Sequence, residues 1–140
     1  MDHKLKLMVV DDSPLFRTWL IHSLSADDRF QVVGYAVNAL DAQEKIPLLQ
    51  PDMLTLDIEM PGMSGIDFLK QLLPVHPIPV ILVSSLNLRV FDALEAGAVD
   101  FVRKPDEANG LSKEIFLSML RSKLLVAAAS HVHLPSVPAS

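Results

Sequence analysis

Short apolar runs alternate along the chain with segments in which apolar residues recur at helical spacing. The runs predict five strands, over residues 5–10, 31–36, 53–56, 79–83 and 99–102. The segments between and after them predict five helices, over residues 14–24, 39–49, 65–73, 88–96 and 111–126. The fourth run is nearly all aliphatic, which is typical of a strand covered on both faces. Strands that alternate with helices in this way predict a parallel sheet between two layers of helices.

Cap and turn residues indicate where several of these elements begin and end. Ser13 and Pro14 suit the N-cap and the first residue of the first helix, because proline lacks an amide hydrogen that would be unpaired there. Asn38 can cap the second helix, whose last turn we expect Pro47 to fray. Gly97 suits the position after the fourth helix. Right-handed crossovers leave few arrangements of five strands. We expect a flavodoxin-like (βα)5 three-layer sandwich with the strand order 2-1-3-4-5.

The end of the chain differs in character from the rest. A length of 140 residues suits one domain, which we assign to residues 1–126. Residues 127–140 are rich in alanine and serine, contain two prolines and show no period, so we expect an interdomain linker or a disordered tail.

Composition and charge exclude several classes of function. The net charge of −5 argues against a nucleic-acid surface, which needs clustered lysine and arginine. The absence of cysteine excludes disulfides, thiolate catalysis and cysteine-ligated metals. No apolar stretch approaches the roughly 20 residues that span a bilayer, and the N-terminus lacks the long apolar region of a signal peptide. We therefore expect a cytoplasmic protein without membrane or nucleic-acid partners.

Polar residues follow four of the predicted strands at the point where each strand ends. Asp11 and Asp12 follow the first strand, Asp57 follows the third, Ser84 the fourth, and Lys104 lies just beyond the fifth. Ligands of open α/β sheets bind at the carboxyl ends of the strands. Taken singly, these residues are typical of solvated turns, helix caps and loop lysines. Their coincidence at one edge of the sheet favours a functional site.

The residue types in this set point to phosphoryl transfer assisted by a divalent cation. Three neighbouring carboxylates resist ionisation unless a cation neutralises them. A set without histidine or cysteine favours a hard ion, Mg²⁺ or Mn²⁺. An aspartate can attack phosphorus to give an aspartyl phosphate. The reaction needs mainly positioning and charge neutralisation, which a metal ion and a lysine would supply.

The motifs around these residues resemble those of response-regulator receiver domains, over roughly residues 5–123. The similar segments are VVDDS at 9–13, LDIEMPGMSG at 56–65, VSS at 83–85 and GAVDFVRKP at 97–105. The resemblance implies that Asp57 is the phospho-acceptor. It also implies that Asp12 and Asp57 ligate the metal directly, with the backbone carbonyl of Glu59, and that Asp11 acts through water.

The same resemblance implies roles for residues of the last two strands. Ser84 and Lys104 would each bind a phosphoryl oxygen, which completes a catalytic set with Asp57. Phe101 occupies the position of the family's switch aromatic and would respond to Ser84, although it can equally be an ordinary core residue. The bond between Lys104 and Pro105 is expected to be cis.

Within the family, the chain is similar to the N-terminal regulatory domain of chemotaxis protein-glutamate methylesterases. The resemblance implies a chemotaxis-type histidine kinase as phosphodonor in a two-component system and a C-terminal methylesterase/deamidase effector beyond this chain. The chain itself would catalyse only its own phosphorylation and dephosphorylation. The stretch from Ser84 to Gly97 is about one helical turn shorter than expected for that subfamily, and it lies on the face that delivers output. Exposed apolar surface on the fourth and fifth helices could support a homodimer or effector docking.

Three other interpretations are open at this point. The chain could be a stand-alone receiver, or belong to a regulator with another effector, and act only by phosphorylation-dependent binding. It could be an aspartate-nucleophile phosphohydrolase, although those enzymes usually carry a second aspartate where this chain has Glu59. A structural flavodoxin-like module would leave the acidic residues unexplained, and a flavin role lacks its phosphate-binding loop.

Overall fold

Strands and helices alternate in the computed structural model, which describes residues 4–85, 89–106, 108 and 110–133. The elements are β1 (Leu5–Val10), α1 (Pro14–Ser25), β2 (Phe30–Ala36), α2 (Ala39–Leu49), β3 (Met53–Leu56), α3 (Gly65–Leu72), β4 (Val80–Ser84), α4 (Val90–Glu95), β5 (Asp100–Arg103) and α5 (Lys113–His133). The predicted start of α4 at residue 88 lies outside the described residues. The alternation that the hydrophobic pattern predicted is confirmed.

All five strands are parallel and form one sheet in the order β2-β1-β3-β4-β5. The predicted strand order is therefore confirmed. β1 lies between β2 and β3, and its pairing with β2 shifts register between Leu7 and Met8. All residues of β3 and β4 are buried, which explains their nearly continuous apolar sequence.

The sheet separates two apolar clusters, because successive side chains of a strand point to opposite faces. On one face, Leu7 and Val9 pack with residues of α1 and α5 such as Leu20 and Phe116. On the other face, Met8 and Val10 pack with residues of α2, α3 and α4. The protein is thus the expected three-layer sandwich.

The helix caps follow the sequence, but one prediction about α2 is wrong. The side chain of Asn38 accepts a hydrogen bond from the Asp41 amide at 2.8 Å. Pro47 does not fray the last turn, because α2 continues to Leu49 and the Gln50 amide donates to the Ile46 carbonyl at 2.8 Å. Gln50 then ends the helix in the left-handed region, at φ 50°. The three residues that follow Pro47 are enough to form the last helical hydrogen bond, from Gln50 to Ile46.

The last helix is longer than the sequence predicted. We expected it to end at residue 126, but α5 continues to His133. The side chain of Ala127 is only 3% exposed and lies in the cluster with α1. Arg121 of α5 also lies 3.4 Å from the Asp27 carboxylate, beyond the end of α1. The predicted linker begins inside this helix, and residues 134–140 lie outside the described part of the chain.

Among the described residues, no helix combines the length and the apolar character that a membrane span requires.

Candidate functional site

Two aspartates at the carboxyl edge of the sheet are held together by the pairing of β1 and β3. Asp11 follows β1, and its amide donates to the Ala36 carbonyl of β2 at 3.1 Å. Asp57 follows β3, and its amide donates to the Val10 carbonyl of β1 at 3.0 Å. The backbone ladder therefore continues up to both carboxylates and fixes their positions relative to each other.

Asp12 joins these two residues to form an acidic cluster. Asp11, Asp12 and Asp57 each offer a carboxylate oxygen, and these oxygens lie within 4.8 Å of one another. Asp11 and Asp57 are buried, at 2% and 5% exposure, whereas Asp12 is exposed. An all-oxygen donor set with one side open to water fits a hard divalent cation. The acidic cluster could therefore hold such an ion.

Lys104 approaches the buried side of the acidic cluster. Its Nζ atom lies 3.0 Å from Oδ2 of Asp11 and 3.4 Å from Oδ2 of Asp57, and its side chain is 16% exposed. The Lys104 amide donates to the Ser84 carbonyl at 3.0 Å, which extends the pairing of β4 with β5 by one residue. The structure thus brings Asp11, Asp12, Asp57 and Lys104 together, as the strand-end pattern predicted.

The bond between Lys104 and Pro105 is trans, so the prediction of a cis bond is wrong. Trans is the more stable isomer of most bonds to proline. The Lys104 ammonium reaches both buried carboxylates with the trans bond in place.

Burial governs the protonation of Asp57. Desolvation raises its pKa from 3.8 to about 6, the nearby Lys104 ammonium opposes this rise, and the Asp11 carboxylate adds to it. A hydrogen bond of 3.1 Å from the Glu59 amide to Oδ1 also lowers the pKa. A second positive charge in the acidic cluster would favour the ionised form further.

The turn after β1 orients the Asp11 carboxylate. The Ser13 amide donates to Oδ1 of Asp11 at 2.8 Å, and Nη1 of Arg17 donates to the Asp11 carbonyl at 2.9 Å.

The loop after Asp57 passes close to the start of α3, where a Cβ atom on Gly65 would lie 2.9 Å from the Asp57 carbonyl oxygen and 2.8 Å from Cα of Ile58. Glycine is therefore needed at position 65 to bring the helix this close to the loop.

The two remaining residues of the predicted site lie on β4 and β5. Ser84 is fully buried at the carboxyl end of β4, two residues beyond Leu82, which pairs with Leu56 just before Asp57. Phe101 is half-buried on β5 beside Leu82 and packs against the apolar cluster of α2, α3 and α4. The two residues therefore lie on neighbouring strands.

Sequence reasoning missed two residues of α1 that contact the site. Arg17 binds the Asp11 carbonyl, and the ring of Phe16 lies beneath the Lys104 ammonium, with 4.5 Å between Nζ and the ring centroid. The helix cap at Ser13 places both residues in the first turn after the aspartates. The contact between Phe16 and Lys104 has no sequence signal, because it depends on how α1 packs against α5 and the sheet.

Residues 7–116 match the family of response regulator receiver domains, which is well over half of the 140-residue chain. The chain is a response regulator receiver domain. This receiver domain resembles the response regulator domain of Thermotoga maritima CheB, with 36% identity, a TM-score of 0.80, and coverage of 91% of this chain and 98% of that one. It also resembles a chain in the crystal structure of the P1 domain of CheA3 in complex with CheY6 from R. sphaeroides, with 27% identity, a TM-score of 0.74, and coverage of 91% and 99%.

Among longer proteins, the receiver domain is similar to a protein-glutamate methylesterase/protein-glutamine glutaminase of Syntrophomonas wolfei. The two are 45% identical over 129 residues, which cover 92% of this chain and 38% of that protein. The chain thus spans less than half of the length of the methylesterase it matches. These similarities identify it as a receiver domain of the CheB type, as the sequence motifs predicted.

Proposed function

We propose that this receiver domain accepts a phosphoryl group on the carboxylate of Asp57 and thereby switches an attached effector. The observation that carries the proposal is the convergence of three carboxylates within 4.8 Å, with the Lys104 ammonium 3.4 Å from Asp57. The acidic cluster provides a nucleophile and a place for a cation, and Lys104 provides a fixed positive charge. Phosphoryl transfer requires little more, because the protein acts mainly by positioning and by neutralising charge.

The donor atoms of the acidic cluster fit Mg²⁺ or Mn²⁺. Asp12 and Asp57 would bind the ion directly, Asp11 would bind it through water, and the backbone carbonyl of Glu59 would complete the set of protein ligands. When bound, the ion would neutralise charge on the transferring phosphoryl group. Asp12 is exposed and leaves one side of the cluster open to water, which suits an ion that retains several water ligands.

The chain's own residues perform the transfer as follows. One carboxylate oxygen of Asp57 attacks the phosphorus atom of a phosphohistidine, the phosphorus–nitrogen bond breaks, and the imidazole leaves with its electron pair. The Glu59 amide holds Oδ1 of Asp57 at 3.1 Å and limits rotation of the carboxylate. Lys104 offsets charge on one phosphoryl oxygen. The hydroxyl of Ser84 donates to another, and Phe101 changes its packing in response.

The proposed partners follow from the proteins that this chain resembles. A chemotaxis-type histidine kinase would supply the phosphoryl group, and a C-terminal methylesterase/glutaminase domain beyond residue 140 would be the effector. The similarity to CheB proteins favours this effector over a stand-alone receiver. We expect the whole protein to act in the cytoplasm, where such kinases present their phosphohistidine.

The test is phosphorylation by acetyl phosphate with Mg²⁺, followed by intact mass spectrometry. The unmodified chain should gain one phosphoryl group, and Asp57→Asn should gain none. Asp52→Asn is the matched control, because Asp52 precedes β3 at the opposite edge of the sheet, where its side chain accepts a hydrogen bond from the Lys6 amide. A labile phosphoryl group on Asp57→Asn at the unmodified chain's level would contradict the assignment of the acceptor.

A further inference from the structure

Phe16 lies against the lysine that bridges the two buried carboxylates. The Nζ atom of Lys104 is 4.5 Å from the centroid of the Phe16 ring, 3.0 Å from Oδ2 of Asp11 and 3.4 Å from Oδ2 of Asp57. An ammonium within about 6 Å of a ring face is attracted by the negative face of the π system. Among the described residues, the Lys104 ammonium therefore has two charged partners and one aromatic partner.

The ring of Phe16 is itself held in place by other aromatic residues. Its centroid lies 5.7 Å from that of Trp19 on α1 and 5.9 Å from that of Phe116 on α5, the latter in an edge-to-face arrangement. Phe116 is fully buried. Since the packing of α1 against α5 fixes these neighbours, the ring face presented to Lys104 is preorganised.

We propose that Phe16 is a positioning residue that keeps the Lys104 ammonium beside Asp57 during phosphoryl transfer. Asp11 belongs both to the ion pair with Lys104 and to the acidic cluster, so a divalent cation and Lys104 compete for the same carboxylate. The ring of Phe16 is an uncharged partner for which the cation does not compete. The attraction between the ring and the ammonium also has little directional preference. The ammonium can therefore move towards a phosphoryl oxygen and keep its contact with the ring. This inference rests on the proposed function, in which Lys104 offsets phosphoryl charge.

A double-mutant cycle separates this role from a purely structural one. Phe16→Leu removes the ring but keeps an apolar side chain, and it should lower the rate of phosphorylation by acetyl phosphate about two- to tenfold. In the Lys104→Met background the same substitution should have no further effect, because the ammonium that the ring holds is gone. Phe16→Tyr retains the aromatic face and should restore the rate.

Tyr35→Leu provides the matched control. The Tyr35 ring faces the Arg17 guanidinium at 4.7 Å and the Lys45 ammonium at 4.8 Å, so the substitution removes an aromatic face from cations other than Lys104. Its effect on the rate should be the same with and without Lys104. An equal fall for Phe16→Leu in both backgrounds would overturn the inference and leave the proposed function intact.

A second measurement tests the contact without any phosphorylation. The ring current of Phe16 should shift the NMR resonances of the Lys104 ε-methylene protons upfield, and Phe16→Leu should abolish that shift. Unchanged Lys104 resonances in Phe16→Leu would overturn the inference whatever the kinetics show. A wild-type chain that acquires no phosphoryl group would overturn the proposed function, and the positioning role with it, even if the ring contact were present.

Discussion

Asp57 combines burial with the need to be ionised. Its side chain is nearly inaccessible to water, and burial raises its pKa to about 6 in spite of the Lys104 ammonium. The proposed nucleophile is the carboxylate form, which predominates at pH 7 and is lost as the pH falls through about 6. Positive charge that enters the acidic cluster would lower this pKa and keep Asp57 ionised at a lower pH.

The raised pKa of Asp57 predicts how stability depends on pH without metal. The folded state holds this proton more tightly than the unfolded state, whose pKa is close to 3.8. The stabilising effect of the protonated form is complete below pH 3.8 and is lost as the pH rises through about 6. At pH 7 and without metal, Asp57→Asn should therefore be more stable than the wild type by about 1–3 kcal/mol.

Urea denaturation of the two chains from pH 4 to pH 7, with a chelator present, measures this difference. The two curves should converge at pH 4 and separate towards pH 7. A constant difference over the whole range would mean that Asp57 ionises in the folded protein as easily as in the unfolded chain.

The exposed member of the acidic cluster should matter for metal binding more than Ser84 does. Asp12→Ala removes a carboxylate from the cluster and should weaken Mg²⁺ binding at least about tenfold, as loss of a charged ligand does. Ser84→Ala should leave Mg²⁺ affinity unchanged and reduce the conformational response to beryllium fluoride. Calorimetric titration measures the affinity, and changes in amide NMR shifts measure the response. Unaltered affinity in Asp12→Ala would refute its assignment as a ligand.

Among the elements, α3 determines where the loop after Asp57 lies. Gly65→Ala would place a Cβ atom 2.8 Å from Cα of Ile58 and 2.9 Å from the Asp57 carbonyl oxygen, and backbone atoms cannot yield without moving Asp57. We expect a loss of about 1–3 kcal/mol in stability, as for other overpacked sites, together with weaker Mg²⁺ binding.

Gly34→Ala is the control for this substitution. Gly34 lies on β2, away from the acidic cluster. The added Cβ atom would lie 2.6 Å from Cδ1 of Leu49, at the end of that side chain. It can alter stability but should not alter Mg²⁺ affinity. If both substitutions weakened Mg²⁺ binding equally, the close approach of α3 to Asp57 would not explain the effect.

The elements also show which features could be predicted from the sequence. The strand-end rule brought Asp11, Asp57 and Lys104 together because pairing of parallel strands fixes which ends coincide. The contact of Phe16 with Lys104 could not be predicted, because it depends on how a helix packs against the sheet. The cis bond that the resemblance implied before Pro105 was a wrong prediction, because local sequence does not determine the isomer.

At the scale of the whole molecule, the acidic cluster and the last turns of α5 lie towards opposite edges of the sheet. The acidic cluster lies where the strands end, whereas Arg121 of α5 lies 3.4 Å from Asp27, just before the start of β2, so the last turns of α5 lie towards the other edge. The change in composition after residue 126 suggested a domain boundary, but small residues also suit a helix that packs closely on its neighbour. Ala127 and Ala128 do so, in the cluster shared by α1 and α5.

This arrangement predicts that shortening α5 affects stability but not phosphorylation. A chain that ends after Val126 loses the packing of Ala127, which is 3% exposed, and should be less stable by about 1 kcal/mol. A chain that ends after Ser130 retains both alanines and should match the wild type. Both should acquire one phosphoryl group at the same rate, because Asp57, the proposed acceptor, lies at the opposite edge. Urea denaturation and phosphorylation kinetics provide the two measurements. Equal stability of the two shortened chains would place the boundary of the folded domain at residue 126. A slower rate of phosphorylation in the shorter chain would show that the end of α5 is coupled to Asp57.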